Sequence, residues 1–150
     1  MAKQLSISAR VDQLLTEAEQ LADDGEHAKS LKLFQAAWDL LPEPKEDCEP
    51  AFRLLGAIGD AHFFLGDWDA CHSSFQRIVQ TWGEALANPF VRLRLGQSLF
   101  ELGNMKEAAN WMAPAFLSEG MRLFEDDDPK YLNFIRSQLK PPPGGWAQGW

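Results

Sequence analysis

Three short turns centred on glycine divide most of this chain into pairs of amphipathic segments. The turns lie at Gly25, Gly66 and Gly103. A small residue stands seven positions before each turn, another stands five positions after it, and a bulky apolar residue stands nine positions after it. These residues are Ala18, Gly59 and Gly96, then Ser30, Cys71 and Ala108, then Phe34, Phe75 and Met112. Two antiparallel helices approach closely only where small side chains face each other, so this register predicts three helical hairpins.

Apolar residues recur at helical spacing on both sides of each turn, and a last amphipathic segment follows the third pair. The pattern predicts seven helices. Five lie at about 8–23, 50–65, 67–82, 89–102 and 129–139. One more runs from the first turn to Pro42, and another runs from Lys106 through Pro114. No alternating segment rich in β-branched residues occurs, so no strand is expected. The predicted fold class is all-α, with one domain over residues 1–140. Residues 141–150, rich in Pro, Gly and Trp, are expected to form a flexible tail.

The hairpin pattern resembles the tetratricopeptide repeat (TPR), a helix–turn–helix unit with a period of about 34 residues. The best copy reads Leu55-x2-Ile58-Gly59-x2-His62 and then Cys71-x3-Phe75. The others read Leu95-Gly96-x2-Leu99 with Ala108-x3-Met112, and Glu17-Ala18-x2-Leu21 with Ser30-x3-Phe34. His62, Arg92 and Pro114 depart from the pattern. The resemblance implies a short right-handed solenoid with repeats at about 11–42, 52–83 and 89–120, closed by a capping helix at about 129–139.

In tetratricopeptide proteins the first helix of each repeat lines a concave groove that binds other proteins. Carried onto this chain, the resemblance implies a partner-binding surface made of Glu19, Arg53, Asp60, Phe63, Phe64, Phe90, Arg94, Gln97 and Glu101. The same helices would also turn Asp12, Leu15, Ala22, Asp23 and Leu93 toward the groove. The three phenylalanines are expected to be apolar anchors, and Asp60, Arg94 and Glu101 to fix the partner's orientation. The alternative for each of these residues is that it merely completes the core.

Four segments resemble a set of small single-domain bacterial tetratricopeptide proteins more closely. They are LPEPK (41–45), AIGDA (57–61), NPFVRLRLGQ (88–97) and DPKY (128–131). Members of that set often accompany polymorphic toxins, and some are similar to immunity proteins that bind and block a toxin. The resemblance leaves three functions open: an immunity protein, a chaperone that holds a client segment, or an accessory or structural subunit whose groove is filled by its own tail or a sister chain's. The peptide-carboxylate clamp of tetratricopeptide co-chaperones is not expected, because its five positions hold Leu15, Glu19, Ala57, Phe90 and Arg94.

Charge and composition limit the partners. The formal net charge is −8, which disfavours nucleic acid, because phosphate binding requires a basic surface, and is compatible with a basic protein. The N-terminus shows no secretory signal, no apolar run is long enough to span a membrane, and the two cysteines fit a reducing compartment, so a cytoplasmic protein is expected.

Candidate chemistry is sparse in the sequence. His62, Cys71 and His72 lack metal-ligand spacing, and the acidic run at 125–128 lacks the spacing of a calcium loop. No nucleotide-binding or nucleophile motif occurs. We therefore expect no enzyme activity, no metal and no cofactor. The partner's identity and the possibility of a homo-oligomer stay open.

Overall fold

The three predicted turns are present in the computed structural model, which describes residues 6–150. Gly25, Gly66 and Gly103 adopt φ angles of +80°, +75° and +86°. This left-handed backbone conformation is accessible to glycine without the steric penalty of a Cβ atom, which is why glycine ends so many helices. Each turn separates two helices, so the prediction of three helical hairpins is confirmed. The first five residues, part of the stretch in which no secretory signal is expected, lie outside the described residues.

Residues 6–150 contain seven α-helices and no strand, which confirms the all-α prediction. The helices are α1 Ile7–Asp23, α2 His27–Leu40, α3 Ala51–Phe64, α4 Trp68–Thr81, α5 Pro89–Glu101, α6 Met105–Glu119 and α7 Pro129–Gln138. Short 3-10 helices, which the sequence pattern does not predict, lie in the connections at Lys45–Asp47, Gly83–Ala87 and Gly120–Phe124. No helix within the described range is long and apolar enough to cross a membrane.

Two helices begin at an Asx–Pro pair, a dipeptide typical of helix N-termini. The side chain of Asn88 accepts hydrogen bonds from the backbone N–H groups of Phe90 and Val91, at 3.0 and 3.2 Å. The side chain of Asp128 accepts one from the N–H of Lys130 at 2.9 Å. In both helices the first residue is proline, whose missing N–H would have no acceptor at that position.

The hairpins are closed by the contacts that the register predicts. A Cβ atom on Gly59 would lie 2.5 Å from the ring of Phe75, and one on Gly96 would lie 3.0 Å from the carbonyl oxygen of Ala108 and overlap the side chain of Met112. Glycine is therefore required at both positions for the helices to approach this closely. The remaining residues of the register are also buried, namely Ala18, Ser30, Phe34, Cys71 and Ala108.

The chain divides into two compact units, Met1–Thr81 and Trp82–Trp150. The first unit contains α1 to α4, hence the first two hairpins, and its core includes Leu54, Phe75 and Ile78. The second unit contains α5 to α7, and its core includes Leu95, Phe116 and Ile135. The last residues, expected to be a flexible tail, contact α6, α7 and the 3-10 helix between them.

Arg92 and Pro114, two departures from the repeat pattern, occur on the facing helices of one hairpin. Pro114 has no N–H to donate to the carbonyl oxygen of Asn110, one turn earlier in α6. The guanidinium of Arg92 on α5 donates to that oxygen at 3.1 Å and to the oxygen of Trp111 at 3.1 Å. It also lies 5.0 Å from the centre of the Trp111 ring. An α5 side chain thus supplies the donor that α6 lacks, and α6 continues through Pro114.

Candidate functional site

A pocket of about 650 Å³ opens in the first unit among α1, α2 and α3. It brings together Glu19, Asp60 and Phe64 from the predicted partner-binding surface, with Ala22 and Asp23 from the wider set of groove positions. These residues come from α1 and α3, the first helices of the first two repeats. The register of the repeat therefore identifies the helix faces that line this pocket.

The pocket has an aromatic wall that the sequence only half predicts. Phe64 is 52% exposed, and its ring stacks on the imidazole of His27, with 4.5 Å between ring centres and 14° between planes. His27 also lines the pocket, and the buried ring of Phe34 lies nearby. His27 is not among the groove positions that the resemblance implies. Its position directly after the first glycine turn, at the start of α2, was the signal that it lies close to the groove helices.

The rest of the lining is small or acidic. Ala22, Ala57 and Ala61 contribute methyl groups, and three carboxylates, those of Glu19, Asp23 and Asp60, also line the pocket. Arg53 on α3 forms an ion pair with Glu19 on α1, and both side chains are largely exposed. The pocket therefore combines apolar surface with an excess of negative charge.

Phe63 does not belong to this open surface, which corrects the expectation that both phenylalanines are exposed anchors. It is 8% exposed, and its ring packs edge-on against Trp68 at 5.5 Å and against Phe64 at 5.4 Å. Neighbouring residues on a helix point about 100° apart, so only one of the two rings can face the pocket. Phe63 completes the core beneath the turn at Gly66, the alternative that the sequence leaves open.

Arg94 and Gln97 in the second unit are also buried, contrary to the open position expected for them. They are 5% and 0% exposed. The guanidinium of Arg94 donates to the side-chain oxygen of Gln97 at 2.7 Å and lies 3.4 Å from the carboxylate of Asp127, while Gln97 donates to the same carboxylate at 2.8 Å. Asp127 lies just before α7. The residues that lead into α7 therefore cover the face of α5 that was expected to be exposed for partner binding.

Glu101 is held by α7 in a similar way. Its carboxylate accepts a hydrogen bond from the hydroxyl of Tyr131 at 2.8 Å and lies 2.5 Å from the ammonium group of Lys130. Burial, and then the hydrogen bond to Glu101, raise the pKa of Tyr131 well above its usual range. Phe90 stays 40% exposed and lies 5.0 Å from the Arg94 guanidinium. Phe90 is thus the one exposed residue among the four predicted in this unit.

The residues considered for metal or thiol chemistry are not assembled into a site within residues 6–150. No group of three or more His, Cys, Asp or Glu residues there could hold a metal ion. Cys71 is fully buried at its hairpin contact, and Cys48 is half-buried and is not in a disulfide. Asp127, in the acidic run, accepts from Arg94 and Gln97 as described above.

Fold and pocket together define an all-helical protein of packed hairpins with an acidic, aromatic-walled pocket in its first unit. No family model matches this chain, and no curated protein matches it.

Proposed function

We propose that this chain is a non-enzymatic, tetratricopeptide-type module that binds another protein through the pocket of its first unit. The observation that carries the proposal is the meeting of Glu19, Asp60 and Phe64 in one pocket, because an exposed aromatic ring beside charged side chains is typical of recognition sites. The hairpin register supports the tetratricopeptide type, and the right-handed solenoid and a cytoplasmic location belong to the same proposal.

The chemistry of the pocket favours a basic segment of the partner. An arginine or lysine side chain can lay its apolar stem along the alanines and the Phe64 ring while its charged end reaches a carboxylate. A hydrogen bond to a charged group contributes about 1.5–3 kcal/mol when it is desolvated. The formal net charge of −8 would also raise the association rate with such a partner.

Within this class we propose toxin neutralisation as the specific role, on the strength of the sequence resemblance to bacterial immunity proteins. A chain of this role should restore the growth of cells that express the matching toxin. The same chain carrying Asp60→Lys and Phe64→Ser should fail to do so while accumulating to the same level. If the unaltered chain fails to restore growth, the toxin-neutralising role is rejected. The binding pocket is then tested separately.

The pocket is tested by quantitative pull-down from a lysate of the source organism, with Asp60→Lys and Phe64→Ser combined in one bait. The matched control bait carries Glu17→Lys and Leu65→Ser, which make the same charge change and a similar apolar loss outside the pocket. Because the first pair reverses charge and removes the aromatic wall, partner recovery should fall at least tenfold, which corresponds to about 1.4 kcal/mol.

The control bait should recover the partner as the unaltered chain does, and both baits should retain the helical circular dichroism of the parent. Equal recovery by the two altered baits would exclude the pocket as the binding site. Raising the salt concentration should slow association with the unaltered chain, because the attraction between exposed charges is screened.

A further inference from the structure

The second unit binds a segment of its own chain, residues 146–150, on a surface that we call the tail site. This site is formed by Phe116, Gly120, Met121 and Arg136. The ring of Trp146 packs edge-on against Phe116, with 5.5 Å between ring centres. The contact joins a tryptophan of the tail to a fully buried residue of the core of this unit.

The tail site also recognises the backbone of the segment. The N–H of Met121 donates to the carbonyl oxygen of Gly149 at 2.6 Å, and the guanidinium of Arg136 donates to the main-chain oxygen of Trp150. Backbone hydrogen bonds supply affinity and neighbouring side-chain contacts supply specificity in peptide recognition. Two successive main-chain oxygens of the tail are thus held by donors from two different elements.

Gly120 makes room for this backbone. A Cβ atom at Gly120 would lie 2.5 Å from the carbonyl oxygen of Gly149 and 3.1 Å from the indole ring of Trp150. The oxygen of Gly149 is a main-chain atom, so it cannot move aside as the end of a flexible side chain could. Gly120 is therefore the residue on which access to the tail site depends.

The connection to the tail is exposed and takes no part in these contacts. Residues 140–145 contain three prolines and two glycines, and Gly144 and Gly145 have φ angles of +87° and +89°. The side chain of Arg136 is incompletely satisfied by the tail, since its Nε is buried without a hydrogen-bond partner within the described residues. A buried unpaired donor weakens the docked state, which makes the tail easier to displace.

We propose that the tail site is an exchangeable binding site for a Gly-Trp segment, and that the tail of a second copy of this chain binds it when the resident tail is displaced. The contacts depend on the segment from Trp146 to Trp150 and are the same whichever copy supplies it. A short connection gives the resident tail a high effective concentration, so the closed single chain dominates at low concentration. Exchange of an identical element between two copies is a low-cost route to a dimer.

Two complementary variants test the proposal in the full chain. Trp146→Ala combined with Trp150→Ala disables the tail and leaves the tail site vacant. Gly120→Ala blocks the site and leaves the tail free. Neither variant has both halves of the contact, so each alone should stay a single chain in analytical ultracentrifugation. A mixture of the two should form a 1:1 complex, with at least ten times more complex than either variant forms alone.

Further variants guard against effects of Gly120→Ala on folding, because this glycine has a φ angle of +74°. Arg136→Glu supplies a second blocked site, and it should also pair with the tail-disabled variant. Gly144→Ala imposes a similar backbone strain in open space, so in the same mixture it should behave as the unaltered chain does. Circular dichroism confirms that each variant is folded before mixing.

Absence of a complex in both mixtures of blocked and vacant chains would overturn the proposal. Self-association of the tail-disabled variant would overturn it as well, since that dimer would form without the tail. A complex between Gly120→Ala and Arg136→Glu would also overturn it, because neither of these chains has an open tail site. Phe64→Ser should leave the exchange unchanged, which separates this test from that of the pocket in the first unit.

Discussion

At the residue scale, Arg92 and Pro114 would each destabilise a helical hairpin if the other were absent. Proline inside a helix leaves a carbonyl without its donor, and a guanidinium facing a neighbouring helix is partly desolvated, which here lowers the pKa of Arg92. The hydrogen bonds from Arg92 to the oxygens of Asn110 and Trp111 meet both requirements at once. The two departures from the repeat pattern therefore form a single structural feature.

A double-mutant cycle measures this coupling. Arg92→Met alone should destabilise the chain by about 1–2 kcal/mol, since the hydrogen bonds from the guanidinium to the exposed Asn110 carbonyl and to the half-buried Trp111 carbonyl are lost. In a chain that carries Pro114→Ala, the N–H of residue 114 can bond the same oxygen, and Arg92→Met should cost about 1 kcal/mol less. Urea unfolding of the four chains gives the interaction energy. An interaction energy near zero would contradict the assignment.

The sequence marks Arg92 and Pro114 as exceptions but does not connect them. Their pairing depends on which α5 residue lies opposite which turn of α6, and this register becomes apparent only when the hairpin is built. The burial of Arg94 follows the same logic. Its partner Asp127 lies 33 positions away in an acidic run. The sequence shows that this run is opposite in charge to Arg94, but not that the two come into contact. Local patterns thus reveal unusual residues, and tertiary contacts decide their roles.

At the element scale, the hairpins follow from spacing alone, because the distance of each small residue from its turn determines where two helices meet. This is why the sequence predicts the helix boundaries and the contact between Gly59 and Phe75. It does not predict that Phe63 is buried and Phe64 exposed, since the two are identical, adjacent residues at the end of α3. The choice depends on Trp68, which begins α4 and packs on Phe63.

Two glycines of α3 provide a matched test of hairpin packing. Gly59→Ala should destabilise the chain by about 1–3 kcal/mol, because the new methyl group overlaps the ring of Phe75. Gly56→Ala on the same helix meets no atom within 4 Å and should stabilise by up to about 1 kcal/mol through helix propensity. Chemical denaturation of both variants separates the two effects. Stabilisation by both substitutions would show that the helices do not approach this closely.

At the scale of the whole molecule, acidic charge dominates, and it surrounds the one tyrosine of the chain. Tyr131 is buried against α5, its hydroxyl donates to Glu101, and Asp127 and Asp128 add negative charge nearby. Ionisation would place a phenolate among these carboxylates in a molecule that already carries a formal net charge of −8. The neutral hydroxyl is therefore favoured strongly in the folded state, and the stability of the chain becomes sensitive to alkaline pH.

The sign of this dependence follows from the raised pKa of Tyr131. In the unfolded chain a tyrosine ionises at about pH 10, whereas in the folded chain the same group stays protonated to higher pH. The contribution of Tyr131 to the free energy of unfolding is full below about pH 10 and is lost as the pH rises toward the folded pKa. Urea unfolding between about pH 8 and pH 11 should therefore show a steeper loss for the parent chain than for Tyr131→Phe. Phenolate absorbance, which reports this single tyrosine, should rise only as the second unit unfolds; titration in the folded chain at the ordinary pKa would refute the buried hydrogen bond to Glu101.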